Sequence, residues 1–165
     1  VNSLKMTMPG RFKLQKFLSD AVLAGCKYAV VEVTSEGIKQ FRHKGIDFFM
    51  AILTNVTPEH IESHGSFDAY TQEKAKLFYN TKIHILNKEE PVEIIEAIPA
   101  SQKLFYSKED IKHINLRLSG EFNKSNAAAA RLAARELGVS EKNIKLALEK
   151  ERAVLYLGVE LSGYI

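Results

Sequence analysis

The chain has 165 residues, of which 45% are hydrophobic and 26% are charged, and this length is enough for one domain with a buried core. Its net charge of +3 combines 23 basic with 20 acidic residues, a balance too even to indicate a nucleic-acid partner. No apolar run reaches the roughly 18 residues of a membrane span, and the first ten residues are not expected to be a signal peptide because they lack an apolar stretch. The single cysteine, Cys26, excludes an internal disulfide and favours the reducing cytoplasm.

Helical and strand patterns alternate in the first half of the chain. Residues 9–26 are predicted to form a helix with Gly25 as its C-terminal cap, and residues 67–80 are predicted to form a second helix. Between and after them lie apolar, β-branched runs of the kind that is buried on both faces of a parallel sheet. These predicted strands are residues 27–35, 45–56 and 82–87. The alternation predicts an α/β fold with a mainly parallel sheet flanked by helices.

The second half begins with a proline-containing connection, residues 88–102, in which a short helix is predicted. Short β-rich runs follow, and one of them alternates apolar and polar residues as an edge strand does. The predicted strands are residues 102–107, 114–120 and 153–161. The predicted helices are residues 123–138, which are rich in alanine, and residues 140–151, with Ser140 as N-cap. No repeat or domain boundary is evident, so residues 1–165 are predicted to form a single domain.

Polar side chains follow two of the predicted strands, where ligands gather in open α/β sheets. Glu32 and Thr34 end the strand 27–35, Asn55 ends the strand 45–56, and His60 follows that strand. A carboxylate in a buried strand is costly unless it is paired or binds a cation, so Glu32 is the most informative of these residues. Oxygen-rich strand ends suit Mg²⁺ better than zinc, because no further zinc ligands stand at the required spacing.

Each of these residues also has a simpler interpretation. Glu32 could pair with a nearby lysine, and His60 could be an ordinary residue at the start of a helix. Lys74 and Lys76 would ordinarily form a solvated helix face. The chain contains no G-x4-G-K-[ST] phosphate loop, so a nucleotide site built from these residues would lack the usual backbone cradle.

Four segments, taken in order, resemble the central, ATP-binding domain of the Mur ligases. They are "TMPGRFKLQKFL", "EVTSEGIKQFR", "TNVTPEHIESHGSFDAYTQEKAKLF" and "LSGEFNKSNAAAA". The resemblance is closest to the branch that adds the third amino acid to UDP-N-acetylmuramoyl (UDP-MurNAc) dipeptide. It departs from the family pattern at Met8, Glu36 and Glu59, and it implies a domain truncated at both ends, without the first strand and phosphate loop.

The resemblance implies roles for the matching positions. Glu32, His60 and Lys74 would be catalytic and would bind Mg²⁺, with Lys74 doing so as a carbamate. The residues implied to bind ATP are Asn123 and Asn126, with Asn55 close to that site. The residues implied to hold the UDP-MurNAc peptide are Thr7, Thr34, Gln40 and Arg42. The implied chemistry is ATP-dependent amide formation through an acyl phosphate, stabilised by metal ions and cationic groups.

A phosphoryl-transfer site without its phosphate loop loses most of its positioning power, so the chain is expected to be inactive or weakly active alone. The alternatives are a non-catalytic domain that binds muramoyl peptide or a ligase partner, and an excised fragment. A homo-oligomer or a complementing ligase fragment would be the protein partner. Residues 153–161 are expected to fill the place of the missing strand, unless a second copy of the chain does so.

Overall fold

The computed structural model of the chain describes residues 8–56, 65–117 and 120–150. Within them, three parallel strands form one sheet in the order β1-β2-β3. The strands are β1 (Met50–Leu53), β2 (Ile83–Asn87) and β3 (Gln102–Tyr106). In the register of the sheet Met50 lies beside Ile83, and Ile83 lies beside Gln102. The predicted α/β fold with a parallel sheet and flanking helices is confirmed.

The described residues also form six α-helices and one 3-10 helix. The helices before β2 are α1 (Arg11–Leu23), α2 (Ser35–Lys39) and α3 (Phe67–Ala75). Those after β2 are α4 (Glu93–Glu96), the 3-10 helix (Lys108–Ile111), α5 (Glu121–Glu136) and α6 (Glu141–Lys150). No helix in the described parts of the chain is long and apolar enough to cross a membrane.

Most helix predictions are confirmed, with shifts at their ends. Gly25 follows α1 with a φ of 79°, a left-handed conformation that glycine adopts without the penalty of a Cβ atom. The Ser140 hydroxyl lies 3.4 Å from the Asn143 backbone nitrogen at the start of α6. The helix predicted for residues 67–80 ends earlier, at Ala75, because the chain then turns and the Phe78 N–H donates to the Ala75 carbonyl. The sequence patterns did not predict α2.

The strand predicted for residues 27–35 is wrong. Residues 27–34 have no strand assignment, and α2 begins at Ser35. Tyr28 and Val30 are 62% and 66% exposed, although the pattern predicted burial on both faces. An apolar β-branched run becomes a strand only when a neighbouring strand takes its backbone hydrogen bonds, and no strand in the described residues pairs with this one.

The prediction of an edge strand at residues 114–120 is also wrong where the structure can be described. Residues 114–117, which follow the 3-10 helix, form no strand. The chain there continues in turns: the Ile114 N–H donates to the Ile111 carbonyl and the Leu116 N–H to the Ile114 carbonyl. These local hydrogen bonds replace those of a sheet ladder. The strand predicted for residues 153–161 lies outside the described residues.

The sheet separates two apolar clusters. Ile83 and Ile85 of β2 pack with α5 and α6 on one face, while Leu86 packs with α3 and α4 on the other. All five residues of β2 are buried, as expected for a central parallel strand. The helices on both faces leave the carboxyl edge of the sheet free to carry polar groups.

Candidate functional site

The carboxyl ends of β1 and β2 are joined by the side chain of Asn87. Its Nδ2 atom donates to the Thr54 carbonyl at 2.9 Å and to Ser125 Oγ at 3.2 Å. Its Oδ1 atom accepts from the Glu89 backbone N–H at 3.0 Å. Asn87 is only 3% exposed, and a buried amide keeps its place when its donors and acceptors are paired. This one side chain therefore fixes two strand ends against the start of α5.

Tyr106, at the end of β3, reinforces the same edge. Its hydroxyl donates to the Leu53 carbonyl at 3.0 Å across the sheet, and the residue is 1% exposed. Burial raises the pKa of the Tyr106 hydroxyl far above its usual range. The phenol therefore stays protonated and acts as a hydrogen-bond donor, which makes it a structural part of the edge.

Lys74 reaches this edge from α3. Its Nζ atom donates to the Asn55 carbonyl at 2.6 Å and lies 4.9 Å from the centre of the Tyr70 ring. Burial lowers the pKa of the Lys74 ammonium, and the charge of Glu90 opposes that change. The interpretation that both lysines lie on a solvated helix face is therefore wrong for Lys74, which is half-buried. It fits Lys76, which is exposed and pairs with Glu73 at 2.6 Å.

Glu90 completes the surroundings of Lys74. Its Oε2 atom accepts from the Val56 backbone N–H at 2.8 Å, so a residue just after β2 holds the segment after β1. The same carboxylate is the charge that acts on Lys74. Lys74, Asn55 and Glu90 thus meet where the first two strands end.

Glu32 lies in the segment before α2 and is half-buried. Burial raises the pKa of its carboxyl group to about 7. Loss of water around a carboxylate disfavours its charged form, and a cation held by the same carboxylate would reverse that effect. The simpler interpretation is an ion pair between Glu32 and a lysine. It has no support in the residues that the structure describes, because each glutamate that forms an ion pair there is one other than Glu32.

Three of the four residues predicted to bind substrate are brought together around α2. The Thr34 hydroxyl accepts from the Gly37 backbone N–H at 3.0 Å and so caps the helix. Arg42 donates from Nη2 to Gln40 Oε1 and from Nη1 to the Met8 carbonyl. The Gln40 amide in turn donates to Glu36 at 2.6 Å. Arg42 and Gln40 thus orient each other before any ligand arrives.

Asn123 and Asn126, predicted to contact ATP, lie in the first two turns of α5. Gly120 precedes this helix with a φ of 115°, a conformation that L-residues rarely adopt. Lys108 approaches the same helix start, 3.1 Å from Glu121 and 3.7 Å from Glu89. Ser125 connects this turn to the strand ends through Asn87, so the asparagines stand on an element tied to the sheet edge.

The predicted site residues are therefore only partly assembled in the described structure. Asn55 and Lys74 are in contact, while Gln40 and Arg42 form a separate contact around α2. Thr7 and His60 lie outside the described residues. Within residues 8–56, 65–117 and 120–150, no group of three or more His, Cys, Asp or Glu side chains could hold a metal ion.

The patterns missed Asn87 and Glu90, the two residues that organise the strand ends. A signal was present, since "ILNKEE" places an amide and two carboxylates directly after a strand that was predicted correctly. The rule that ligands gather at the carboxyl ends of parallel strands applies there as it does after β1. Among the predicted strands, this rule was applied to the first two only, and so the residues after β2 were passed over.

Known proteins are similar to this chain in sequence and in fold. The family model for the Mur ligase middle domain matches residues 1–110. The UDP-N-acetylmuramyl-tripeptide synthetase of Roseiflexus sp. (strain RS-1) is 31% identical over 192 residues, and the match covers 90% of this chain and 38% of that protein. The UDP-N-acetylmuramoyl-L-alanyl-D-glutamate--2,6-diaminopimelate ligase of Clostridium tetani is 30% identical over 170 residues, with 87% and 35% covered.

A solved structure of a UDP-N-acetylmuramoyl-L-alanyl-D-glutamate--2,6-diaminopimelate ligase superposes with a TM-score of 0.76. It is 22% identical and matches 89% of this chain and 37% of its own, so it shows the shared fold. This chain spans little more than a third of the length of its curated relatives, 38% and 35% in the two cases above.

Proposed function

The chain belongs to the Mur ligase family through its middle domain, and from that membership we propose that it carries part of an ATP- and Mg²⁺-dependent amide-forming site of peptidoglycan precursor synthesis. Lys74, Glu32 and His60 are the proposed metal ligands, and Asn55, Asn123 and Asn126 the proposed nucleotide contacts. Thr7, Thr34, Gln40 and Arg42 are proposed to hold a UDP-MurNAc peptide. ATP supplies the phosphoryl group that activates the peptide carboxylate toward an amine.

The surroundings of Lys74 are the observation that carries this proposal. A lysine takes up CO₂ only through its neutral amine, which forms the N–C bond and releases one proton to solvent. Burial lowers the pKa of Lys74 and so raises the neutral fraction available at neutral pH. The resulting carbamate would be anionic and could bind a cation, as an ammonium group cannot.

The chemistry of Glu32 suits a hard cation on independent grounds. Its pKa of about 7 reflects loss of solvent, and a hard divalent ion prefers carboxylate oxygen. A bound Mg²⁺ would return Glu32 to its ionised form and offset part of the desolvation. Arg42, oriented by Gln40, supplies a planar cation suited to a carboxylate or phosphate of the peptide substrate.

The test is a calorimetric titration of the full chain with Mg²⁺ and a non-hydrolysable ATP analogue in bicarbonate buffer. We expect binding that is lost in Lys74→Ala and kept in Lys76→Ala, the matched exposed lysine directly after the same helix. A ¹³C-bicarbonate NMR spectrum should show a carbamate signal with the same dependence on Lys74. Absence of binding at millimolar nucleotide would overturn the proposal.

The same sample distinguishes the alternative of a non-catalytic binding domain. That alternative expects UDP-MurNAc peptide to bind in the absence of nucleotide and to depend on Arg42, because the Gln40–Arg42 pair is organised independently of Lys74. Peptide binding that is lost in Arg42→Ala, together with no nucleotide binding, would favour it.

A further inference from the structure

Phe41 has a backbone conformation that is costly for its side chain. Its φ is 56°, and no other residue apart from glycine has a positive φ in the described parts of the chain. In this left-handed region the Cβ atom crowds the following carbonyl oxygen, so a bulky residue found there is strained. Residues strained in this way concentrate at functional sites, where the surrounding structure holds them in place.

The conformation belongs to the turn that ends α2. The Phe41 N–H donates to the Ile38 carbonyl at 2.8 Å, and the Arg42 N–H donates to the Gly37 carbonyl at 2.9 Å. These two bonds form the Schellman pattern of a helix end, in which the residue after the C-cap takes the left-handed conformation. The C-cap of α2 is Gln40, so the strained position falls on Phe41.

Two other described helices end in the same pattern, and both use glycine at this position. Gly25 follows the C-cap of α1 with a φ of 79°, and Gly138 follows that of α5 with a φ of 83°. In both turns the glycine N–H and the next N–H donate back into the helix with the same spacing as after α2. The chain therefore has the residue without strain at two of these turns and phenylalanine at the third.

Contacts with Met8 hold the turn after α2 in place. Met8 is 1% exposed, and a Cβ atom at Gly37 would lie only 2.4 Å from its sulfur, so α2 packs tightly against it. The Arg42 guanidinium donates from Nη1 to the Met8 carbonyl. Because Gly37 and Arg42 both contact Met8, the residue between them in the turn, Phe41, keeps its left-handed conformation.

The Phe41 side chain gains little from the fold in return. It is 51% exposed, so burial in the core does not offset the strain. Lys44 Nζ lies 4.4 Å from the centre of the ring, but a cation–π contact at an exposed site stabilises a protein by less than the left-handed conformation costs. A strain that the fold does not offset indicates a use of the ring outside the fold.

We propose that Phe41 is a specificity-determining residue beside the Gln40–Arg42 pair, and that its ring covers an apolar group of the peptide whose anionic group binds Arg42. This inference rests on the proposed function and adds a residue to the proposed peptide site. Phe41 directly precedes Arg42, and consecutive Cα atoms lie about 3.8 Å apart, so both side chains start within the length of a single peptide ligand. The ring supplies apolar contact area at a low cost in side-chain entropy.

The first test measures the strain. Asparagine and glycine accept the left-handed conformation, so Phe41→Asn and Phe41→Gly should each raise the melting temperature by about 2–4 °C. The matched control is Phe17→Asn, which should not raise it. Phe17 is 50% exposed and has Lys13 Nζ 5.6 Å from its ring centre, but it lies within α1. Melting temperatures of both Phe41 variants at or below that of the wild type would show that the fold offsets the strain, and this would overturn the proposal.

The second test measures the contact, by calorimetric titration of the full chain with UDP-MurNAc dipeptide. We expect Phe41→Asn to weaken binding about tenfold, because the ring no longer covers an apolar group of the ligand. Phe41→Tyr keeps the ring and should bind as the wild type does, and so should Phe17→Asn. Because asparagine keeps the turn and its backbone conformation, a loss of affinity in Phe41→Asn reports on the ring itself.

The outcomes distinguish this inference from the proposed function. Equal affinity of the wild type and Phe41→Asn, with binding still lost in Arg42→Ala, would overturn the role of Phe41 and leave the proposed peptide site standing. No binding of the dipeptide to the wild type at millimolar concentration would overturn both. Weaker binding in Phe41→Asn together with a higher melting temperature supports the proposal, since unfolding cannot then cause the loss.

Discussion

The Asn87 side chain donates a 2.9 Å hydrogen bond to the Thr54 carbonyl, so the end of β2 holds the end of β1. The same amide reaches Ser125 on α5. Three separate parts of the sequence therefore meet at one buried side chain, at the edge where the nucleotide and metal residues are proposed. Disturbing Asn87 should affect both stability and the arrangement of this edge.

Replacing Asn87 by alanine should lower the free energy of unfolding by about 2 kcal/mol, because the Thr54 carbonyl would lose its partner in a buried position. Urea denaturation followed by circular dichroism measures this change. Asn143→Ala, at an exposed position of α6, is the control and should change stability by no more than about 0.5 kcal/mol. Equal effects of the two substitutions would contradict the role assigned to Asn87.

Tyr106→Phe removes a single oxygen atom from the core. The Leu53 carbonyl then lacks the hydroxyl donor 3.0 Å away, and we expect a loss of about 1–2 kcal/mol in the free energy of unfolding. The matched control is Tyr79→Phe, because Tyr79 is 62% exposed and water can replace any bond its hydroxyl makes. A loss no larger for Tyr106→Phe than for the control would show that the cross-sheet bond is not stabilising.

His84 should make the protein less stable in mild acid. It is fully buried in β2, and its Nε2 atom lies 2.9 Å from the Phe78 carbonyl. Burial, with a smaller effect from Lys103, lowers the pKa of the imidazole. Below about pH 6.5 the unfolded chain binds the proton first, so the contribution of His84 to the free energy of unfolding should fall as the pH decreases from 7.5 to 5.5.

The variant His84→Leu should reduce this pH dependence, whatever its effect on stability at pH 7.5. Burial also lowers the pKa of His43, which acts in the same direction, so part of the slope should remain. His113→Leu, at an exposed position, is the control. Urea unfolding at both pH values gives the comparison, and an unchanged slope in His84→Leu would contradict the prediction.

Glu32 should have the opposite pH dependence. Its folded pKa of about 7 lies above the usual value of 4.5, so its contribution to stability is complete below pH 4.5 and is lost as the pH rises through 7. In EDTA, Glu32→Gln should therefore raise the melting temperature relative to wild type more at pH 8 than at pH 5. Glu93→Gln, at an exposed site, is the control, and equal differences at both pH values for Glu32→Gln would contradict the assignment.

Several features of the fold could be predicted from local sequence alone. β2 is an apolar run bounded by polar residues, and α5 and α6 carry strong helix-forming residues with recognisable ends. These elements depend mainly on backbone preference and on the burial of their own side chains. The strand ends also indicated where polar side chains would gather, and Asn55 lies at such an end, in contact with Lys74.

Other features depend on partners that are distant in sequence. Residues 27–34 have the composition of a buried strand, yet they form none in the described structure, because strand formation requires backbone groups of a neighbour. Asn87 and Glu90 acquire their roles only when β1, β2 and α5 are side by side. Sequence spacing does not reveal these contacts.

The sequence by itself determined the α/β class, the central strand β2, the terminal helices and the family to which the chain belongs. The tertiary structure decided what each polar side chain experiences. Lys74 and Lys76 are the same residue type two positions apart, yet the first, in α3, is half-buried against Asn55 and Tyr70, and the second, just after α3, is exposed and pairs with Glu73. The reason is physical: residue type sets the ordinary pKa and bonding capacity of a group, while packing of distant segments sets its solvation and its partners.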